Sequence, residues 1–477
     1  MLRLTSEGVN LVTALIDSLI FVAYLAVLLV IGYMTTRWTK GFEDFSVAGR
    51  RLKLWLAFST VAATWIGGGI TIGVAARAYA GRMIGAWGTT IGFGSTLILL
   101  GLFYAGPLRK LRLHTLADYY AYRFGKSWLG GLSGALMYVA YVFAVTAQVV
   151  AGAVLLSAVF GWDYSASVLV SGSVIVAYTV MGGLWAVALT DFVQILLIFA
   201  GVLVATVIGV SYVGLDKLSI LISETGAFDL RVILTIDFWA LFLVLSLGDI
   251  PAPDLIQRVY ASKDEKTAKF SSLLAGFAYY AAGVTSILVG LVVKYLKPGL
   301  DDPNLAYPVL IKYFLPVGLS GLVLSGLMAA VMSNADSMLL APSIVLAKNI
   351  VRDLFKKDMS EEELFRVSRY AVIVLGVLAI VAGLARADVL YWLTLAFDVL
   401  FASLFIPLTL GLFWAGFNWQ GATASIVVGA VSRLFLEWAL NAELLAEWWI
   451  ASLGAPLVSL VAGMAVFVIT RSRSERT

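Results

Sequence analysis

Long apolar stretches recur along the whole 477-residue chain. Hydrophobic residues make up 61% of it and charged residues only 13%, about half the share of a soluble domain, and the mean hydropathy is +0.95. Within a bilayer, only helices and closed barrels satisfy every backbone polar group, and apolar runs without strict alternation favour helices. The sequence therefore predicts an all-α polytopic membrane protein.

Polar breaks divide the apolar stretches into segments of the length that one crossing needs, about 20 residues. Because thirteen crossings place the two chain ends on opposite sides, the number of segments also bears on topology. The predicted helices are 13–34, 54–78, 83–107, 128–158, 164–182, 185–213, 233–256, 270–295, 319–347, 368–385, 389–415, 419–440 and 449–470.

The basic residues are distributed unevenly between the two sides of these helices. Of 33 lysines and arginines, 23 fall in loops on one side, among them Arg258, nine fall on the other side, and Arg433 lies within a helix. Cytoplasmic loops carry the excess of basic residues. We therefore expect the C-terminus in the cytoplasm and the N-terminus outside, in the plasma membrane, with the lipid bilayer as partner.

The net charge of +4 has the same origin, so it does not indicate nucleic-acid binding. The first apolar stretch is long and follows a weakly charged segment, so no cleavable signal peptide is expected. No obligatory protein partner is evident in the sequence.

Composition also excludes several chemistries. The chain contains no cysteine, which rules out disulfides, thiolate nucleophiles and cysteine metal ligands. The single histidine, His114, lies among basic residues in a loop, so the membrane holds no histidine pair for zinc or haem and no Ser/His relay.

Two of the predicted helices carry strong helix breakers. Helix 54–78 contains three successive glycines two residues after Trp65. Helix 233–256 contains the run from Gly248 to Pro253, with two prolines and the carboxylate of Asp249. Such breaks free backbone carbonyls that need a partner at bilayer depth. The alternative is that the glycines permit close packing and the prolines only kink.

The broken helices open two successive five-helix sets about 180 residues apart. Five is odd, so the second set enters the membrane upside down relative to the first. Matching breaks in two inverted halves indicate a transporter with its binding site near the midplane. We therefore predict a single transporter domain over 1–477, with an inverted-repeat core at about 54–415, an extra N-terminal helix at 13–34 and extra C-terminal helices within 419–470.

Carboxylates inside membrane helices are costly and indicate function. Ser333, Asp336 and Ser337 share one helical face, and their oxygens suit a hard cation such as Na⁺. The alternative is a polar contact between helices. The intramembrane carboxylates are Asp191, Asp249, Asp336 and Asp398.

Three runs, from Ala63 to Gly69, from Gly182 to Gln194 and from Ala329 to Ser337, together resemble the sodium:solute symporter family. Within that family the motifs are most similar to the branch of high-affinity choline transporters. The resemblance covers essentially the whole chain. It implies a LeuT-like core of two inverted repeats and alternating access driven by the Na⁺ gradient.

The resemblance also implies two ion sites, so transport could be coupled to one or to two Na⁺ ions. Chloride is a further candidate ion. A first Na⁺ site would use the carbonyls of Ala63, Ile66 and Ala330 with the side chains of Ser333 and Asn334. In the family the last position is normally Ser or Thr. A second Na⁺ site would use Asp191, Ser333, Asp336 and Ser337.

For the small organic solute, the candidate pocket residues are Trp65, Tyr141, Gln148 and Asp249. The choline branch has tryptophans where this chain has Ala252 and Val142, while Asp249 replaces a glycine. Fewer aromatic walls with an added carboxylate suggest a cationic or amino-bearing solute, choline-like or amino-acid-like, rather than choline as such.

The predicted function is thus a Na⁺-coupled secondary symporter that imports a small organic solute, not an enzyme. The first alternative is a proton-coupled symporter of the same fold, since buried carboxylates can carry protons. A membrane-embedded enzyme is the second, and it would have to work with carboxylates alone.

Overall fold

The computed structural model describes residues 11–35, 41–181 and 183–474. Apart from one backbone bridge between Leu52 and Ser262, the regular structure in these ranges is helical. Gly182 of the second motif run and the N-terminal segment 1–10 lie outside the described residues.

Every predicted membrane segment corresponds to a helix or a broken pair of helices. The bounds are α1 (Leu11–Thr35), α2a (Leu54–Trp65), α2b (Gly69–Tyr79), α3 (Met83–Lys110), α4 (Ser127–Phe160), α5 (Tyr164–Met181), α6 (Leu184–Val213), α7a (Ile236–Leu247), α7b (Pro253–Ala261), α8 (Glu265–Leu296), α9 (Leu319–Phe355), α10 (Glu361–Ala385), α11 (Val389–Phe413), α12 (Trp419–Asn441) and α13 (Trp448–Ser474).

Length and hydropathy qualify ten of these helices as membrane spans within the described ranges, and the pair α2a and α2b qualifies together as an eleventh. The helices α5 and α7a contribute shorter apolar stretches. The all-α polytopic architecture predicted from the sequence is therefore confirmed.

Some predicted bounds are wrong for identifiable reasons. Helix α10 begins at Glu361, seven residues before the prediction, because Ser360 and Glu363 form a capping box that starts the helix in a polar segment. The predicted helix 233–256 divides at its predicted break, but its second half continues to Ala261, five residues beyond the predicted end. Hydropathy alone registers neither a cap nor a polar half-helix.

The first broken helix bends by 50° between α2a and α2b. Its hinge is Ile66, whose φ of −82° and ψ of 65° are not helical. The second broken helix stops at Leu247, passes through a turn and restarts as α7b, where Pro253 takes the first helical position. Proline suits that position because its missing N–H has no helical partner there.

The two breaks lie inside the bundle. Helix α2a packs against α6, α8 and α9, and the residues of α7b are all buried. Helices α12 and α13 pack mainly on each other and on the 401–405 segment of α11, whereas α1 packs against α6 and α9.

Candidate functional site

At the first break, two backbone amides leave their helical partners. The Gly67 amide donates to the Trp65 carbonyl at 2.9 Å, and the Gly68 amide donates to Gln148 Oε1 at 3.1 Å. In a continuous helix these amides would bind the carbonyls of Ala63 and Thr64. The break therefore frees backbone oxygens beside the polar side chains of α9.

A hydrogen bond joins the two breaks. The Trp65 indole Nε1 donates to Asp249 Oδ2 at 2.6 Å, and both side chains are buried. Trp65 ends α2a and Asp249 lies in the turn before α7b, so the bond connects one repeat to the other. The sequence predicted both residues as site candidates, and the structure brings them into contact.

A narrow cavity beside the first break, called the central cavity below, has about 20 Å³ of free volume, room for about one water molecule. Its walls include the aromatic rings of Trp65, Phe93, Tyr279 and Phe397 and the carboxylate of Asp254. The Phe93 ring lies 5.2 Å from the Phe397 ring and 6.1 Å from the Tyr279 ring. The lining residues are Thr64, Trp65, Gly69, Ile70, Phe93, Asp254, Tyr279, Asn334, Met338, Leu393 and Phe397.

The other two predicted pocket residues lie behind this wall. Tyr141 is buried and donates to Asp254 Oδ1, so it orients a carboxylate that lines the cavity. Gln148 uses Oε1 to hold the Gly68 amide, and its Nε2 has no hydrogen-bond partner within the described ranges. Neither residue contributes to the cavity lining.

The predicted first ion site lies where α2a breaks against α9. Ala63, Ile66 and Ala330 are fully buried there. An ideal Cβ on Gly67 would lie 2.0 Å from Asn334 Nδ2, which shows how closely the break and α9 approach. Oδ1 of Asn334 has no partner in the described part of the chain, so an amide oxygen is available at the position where the family has a hydroxyl.

The residues predicted for the second ion site form a connected buried cluster. Asp191 Oδ1 accepts from the Ser333 hydroxyl, and its Oδ2 accepts from Thr60 Oγ1 at 2.5 Å. Ser337 Oγ lies 3.0 Å from Asp336 Oδ1. All four predicted side chains are at most 1% exposed. Ser333 also belongs to the predicted first site, so it connects the two.

The sequence prediction for Arg258 is wrong. The sequence places this residue among the loop charges, but its guanidinium is 0% exposed and lies 3.7 Å from Asp191 Oδ2. Its Nε donates to Thr60 Oγ1 at 3.1 Å, and a second guanidinium nitrogen donates to Ser337. Arg258 follows Asp254 by one turn of α7b, so the half-helix carries both charges inward.

Asp398, the fourth predicted intramembrane carboxylate, belongs to a separate place. It accepts from Arg433 at 2.9 Å and from Ser452 at 2.8 Å, which connects α11 to α12 and α13. These residues line a second, larger cavity of about 590 Å³. Neighbouring Phe397 lines the central cavity instead, so α11 separates the two spaces.

His114 lies outside the membrane segments, as the sequence predicts. Its Nδ1 is 3.1 Å from the Ser46 hydroxyl, and its ring packs 5.6 Å from that of Phe42. Burial, with a smaller contribution from Arg50, lowers its pKa to about 4. The imidazole is therefore uncharged at neutral pH.

Sequence reasoning missed several cavity residues. Phe93, Tyr279 and Phe397 are three of 46 phenylalanines and tyrosines, and nothing in their local sequence marks them. Asp254 and Arg258 did carry a signal, because charges four residues apart directly after a helix break share one face. Hydropathy does not register this signal, because the segment borders the loop side.

The chain is similar to known solute transporters over most of its length. The sodium:solute symporter family matches residues 45–429. The high affinity choline transporter 1 of Homo sapiens is 31% identical over 419 residues, which cover 83% of this chain and 70% of that protein. The osmoregulated proline transporter OpuE of Bacillus subtilis is 26% identical over 476 residues, with 94% of each chain covered.

Among solved structures, a Na⁺-coupled sialic acid symporter in a substrate-bound outward-open state matches with a TM-score of 0.80. The match covers 95% of this chain and 98% of that chain at 20% sequence identity. At this identity the likeness establishes the fold. The LeuT-like core expected from the sequence is therefore confirmed.

Proposed function

The chain belongs to the sodium:solute symporter family and is a multi-pass, Na⁺-coupled transporter of a small solute rather than an enzyme; from this premise we propose that its solute is a small organic cation of the choline type. The observation that carries the proposal is the composition of the central cavity. Aromatic faces attract organic cations, and the four rings stand beside the Asp254 carboxylate.

These rings provide aromatic walls that the sequence comparison with the choline branch did not predict. The tryptophans expected at positions 252 and 142 are absent, but Phe93, Tyr279 and Phe397 supply aromatic walls from other helices. Asp249 and Asp254 add two buried carboxylates beside the breaks. A cation is the solute whose charge this environment favours, because burying carboxylates that have hydrogen bonds but no ion pair among the described residues is costly.

The cavity, with free volume for about one water, must widen to admit such a solute. We propose that the two breaks move apart during alternating access. We also propose that the N-terminus lies outside and the C-terminus in the cytoplasm. Na⁺ would bind the freed carbonyls of Ala63 and Ile66 with Ala330, Ser333 and Asn334. By holding the first break in one arrangement, it would favour solute binding. The proposal assigns no role to chloride.

Thermal stability tests the proposal directly. Purified protein is heated with choline, the uncharged tert-butyl analogue of choline, or proline, in Na⁺ or in K⁺ at equal ionic strength. Because a ligand that binds only the folded state stabilises it, choline should raise the melting temperature in Na⁺ and much less in K⁺.

If proline but not choline raises the melting temperature, the proposed cationic solute is contradicted and an amino-acid solute is favoured. The similarity to a proline transporter is the observation that supports this second candidate. A choline shift that is independent of Na⁺ but depends on pH would favour proton coupling instead.

Ser333→Ala tests the placement of Na⁺. The substitution removes a hydroxyl that the proposal gives to the Na⁺ site and that the sequence also predicts for a second ion site, so we expect the half-saturating Na⁺ concentration for uptake to rise about tenfold, as for the loss of one hydrogen bond to a charged group. Maximal uptake at saturating Na⁺ should change little. The measurement is solute uptake into proteoliposomes as a function of Na⁺.

Ser343→Ala is the matched control, since Ser343 is equally buried on α9 and its hydroxyl has no partner within the described residues. An unchanged Na⁺ half-saturation in the Ser333 variant would remove this hydroxyl from the ion site.

A further inference from the structure

Arg258 is the fixed positive charge in the predicted second ion site. It lies on α7b, yet its contacts reach two other helices: Thr60 on α2a and Ser337 on α9. Its Nη1 donates to the Asp254 carbonyl on its own helix at 3.0 Å. The guanidinium thus has a hydrogen-bonded position at which α2a, α7b and α9 meet.

Two of the four side chains predicted to bind Na⁺ already face this guanidinium. Ser337 accepts a hydrogen bond from it, and Asp191 Oδ2 lies 3.7 Å away. Arg258 therefore provides for these oxygens the positive charge that a metal ion would otherwise supply. A guanidinium remains charged at any physiological pH.

One carboxylate oxygen of the cluster remains unused. Oδ2 of Asp336 is buried and has no hydrogen-bond partner in the ranges that the structure describes. Asp336 meets the guanidinium through Ser337, whereas Asp191 lies beside it, so two carboxylates share one guanidinium and these three ionised groups carry a formal charge of −1. Such a charge in a low-dielectric interior attracts a cation strongly.

We propose that Arg258 acts as the built-in cation of the site formed by Asp191 and Asp336, and that it thereby limits this site to a single sodium ion. One Na⁺ beside Asp336 brings the cluster to neutrality while Arg258 remains in place. Without the guanidinium, the same oxygens would hold sodium more tightly. The inference rests on the proposed function, since it requires Na⁺ to bind here.

A charge-compensation series tests the proposal. Arg258→Gln takes the formal charge of the cluster to −2, Asp336→Asn takes it to 0, and the double variant returns it to −1. The half-saturating Na⁺ concentration for thermal stabilisation is measured for each variant, with K⁺ as the reference ion, and again for uptake.

We expect Arg258→Gln to lower the half-saturating Na⁺ concentration at least tenfold and Asp336→Asn to raise it at least tenfold. The double variant should return to within about threefold of the wild type. Arg258→Lys, which keeps the charge but loses the planar fork, should also resemble the wild type in its Na⁺ dependence.

Arg109→Gln is the matched control. Arg109 is also buried, but its described hydrogen bonds go to the carbonyls of Ser262 and Lys263 rather than to carboxylates. This variant should leave the Na⁺ half-saturation unchanged.

A structural role for Arg258 alone predicts a different order. Arg258→Gln would then lose stability, bind Na⁺ no better than the wild type, and gain nothing from Asp336→Asn, and this result would overturn the proposal. If Arg258→Gln does not fold, the double variant decides: the proposal requires it to fold with Na⁺ dependence near that of the wild type.

The two levels of inference fail separately. A wild-type protein that Na⁺ does not stabilise relative to K⁺ contradicts the proposed function. A wild-type protein that Na⁺ does stabilise, together with a variant series that does not follow the cluster charge, contradicts only the role of Arg258.

Discussion

We expect Asp254→Asn to weaken binding of a choline-type cation about 10- to 100-fold, the range for losing one interaction with a charged group. Asp254 lines the central cavity, and its Oδ2 has no partner within the described part of the chain. Its Oδ1 is held by Tyr141, so asparagine can keep that hydrogen bond while losing the charge. The measurement is solute affinity from the shift in melting temperature at saturating Na⁺.

The uncharged tert-butyl analogue of choline is the control for this experiment. It fits the same volume without a positive charge, so its weaker binding should change less than threefold in the variant. Equal loss for both ligands would indicate that Asp254 supports the cavity structure rather than the solute charge. Unchanged choline affinity would remove Asp254 from the binding site.

The second large effect is expected at the first break. Gly67→Ala should lower the stability of the fold by about 2–3 kcal/mol and reduce uptake more than tenfold, as overpacking of a tight interior does. The new methyl would lie 2.0 Å from Asn334 Nδ2 and 2.8 Å from Asn334 Cβ. Because the second of these atoms is next to the α9 backbone, rotating the amide cannot remove the overlap. The melting temperature and Na⁺-driven uptake report the two effects.

A second substitution identifies the cause. Gly67→Ala combined with Asn334→Ser removes the amide that the new methyl meets at 2.0 Å but keeps the Cβ at 2.8 Å, so it should recover part of the lost stability. Gly454→Ala on α13 is the matched control, since its ideal Cβ meets only Leu436 Cδ1 at 3.6 Å among neighbouring atoms within reach. A Gly67 variant with wild-type stability and uptake would show that the first break and α9 separate easily at this point.

The features that the sequence predicted well have local causes. A run of glycines breaks a helix wherever it falls, and prolines with a carboxylate do the same. Both breaks could therefore be placed near Trp65 and Asp249 from the local sequence alone. The oxygens of Ser333, Asp336 and Ser337 were predictable for the same reason, since helical spacing fixes which residues share a face.

The features that the sequence predicted poorly depend on contacts between distant segments. Phe93, Phe397 and Tyr279 become cavity walls only because α3, α8 and α11 meet, and no local pattern distinguishes them from aromatic residues that face lipid. Arg258 shows a different limit. Hydropathy ends the predicted helix at residue 256 and leaves Arg258 in a loop, whereas the fold buries the half-helix because Asp254 and Arg258 find partners on three helices.

The hydrogen bond between Trp65 and Asp249 has a consequence for kinetics. Because it joins the two breaks, we expect it to break when they move apart and to re-form when they close. A bond that is present before and after the movement but broken during it adds the same free energy to the barrier in both directions. We therefore expect this contact to affect how fast the protein cycles, while the sense of net flow follows from the ion and solute gradients.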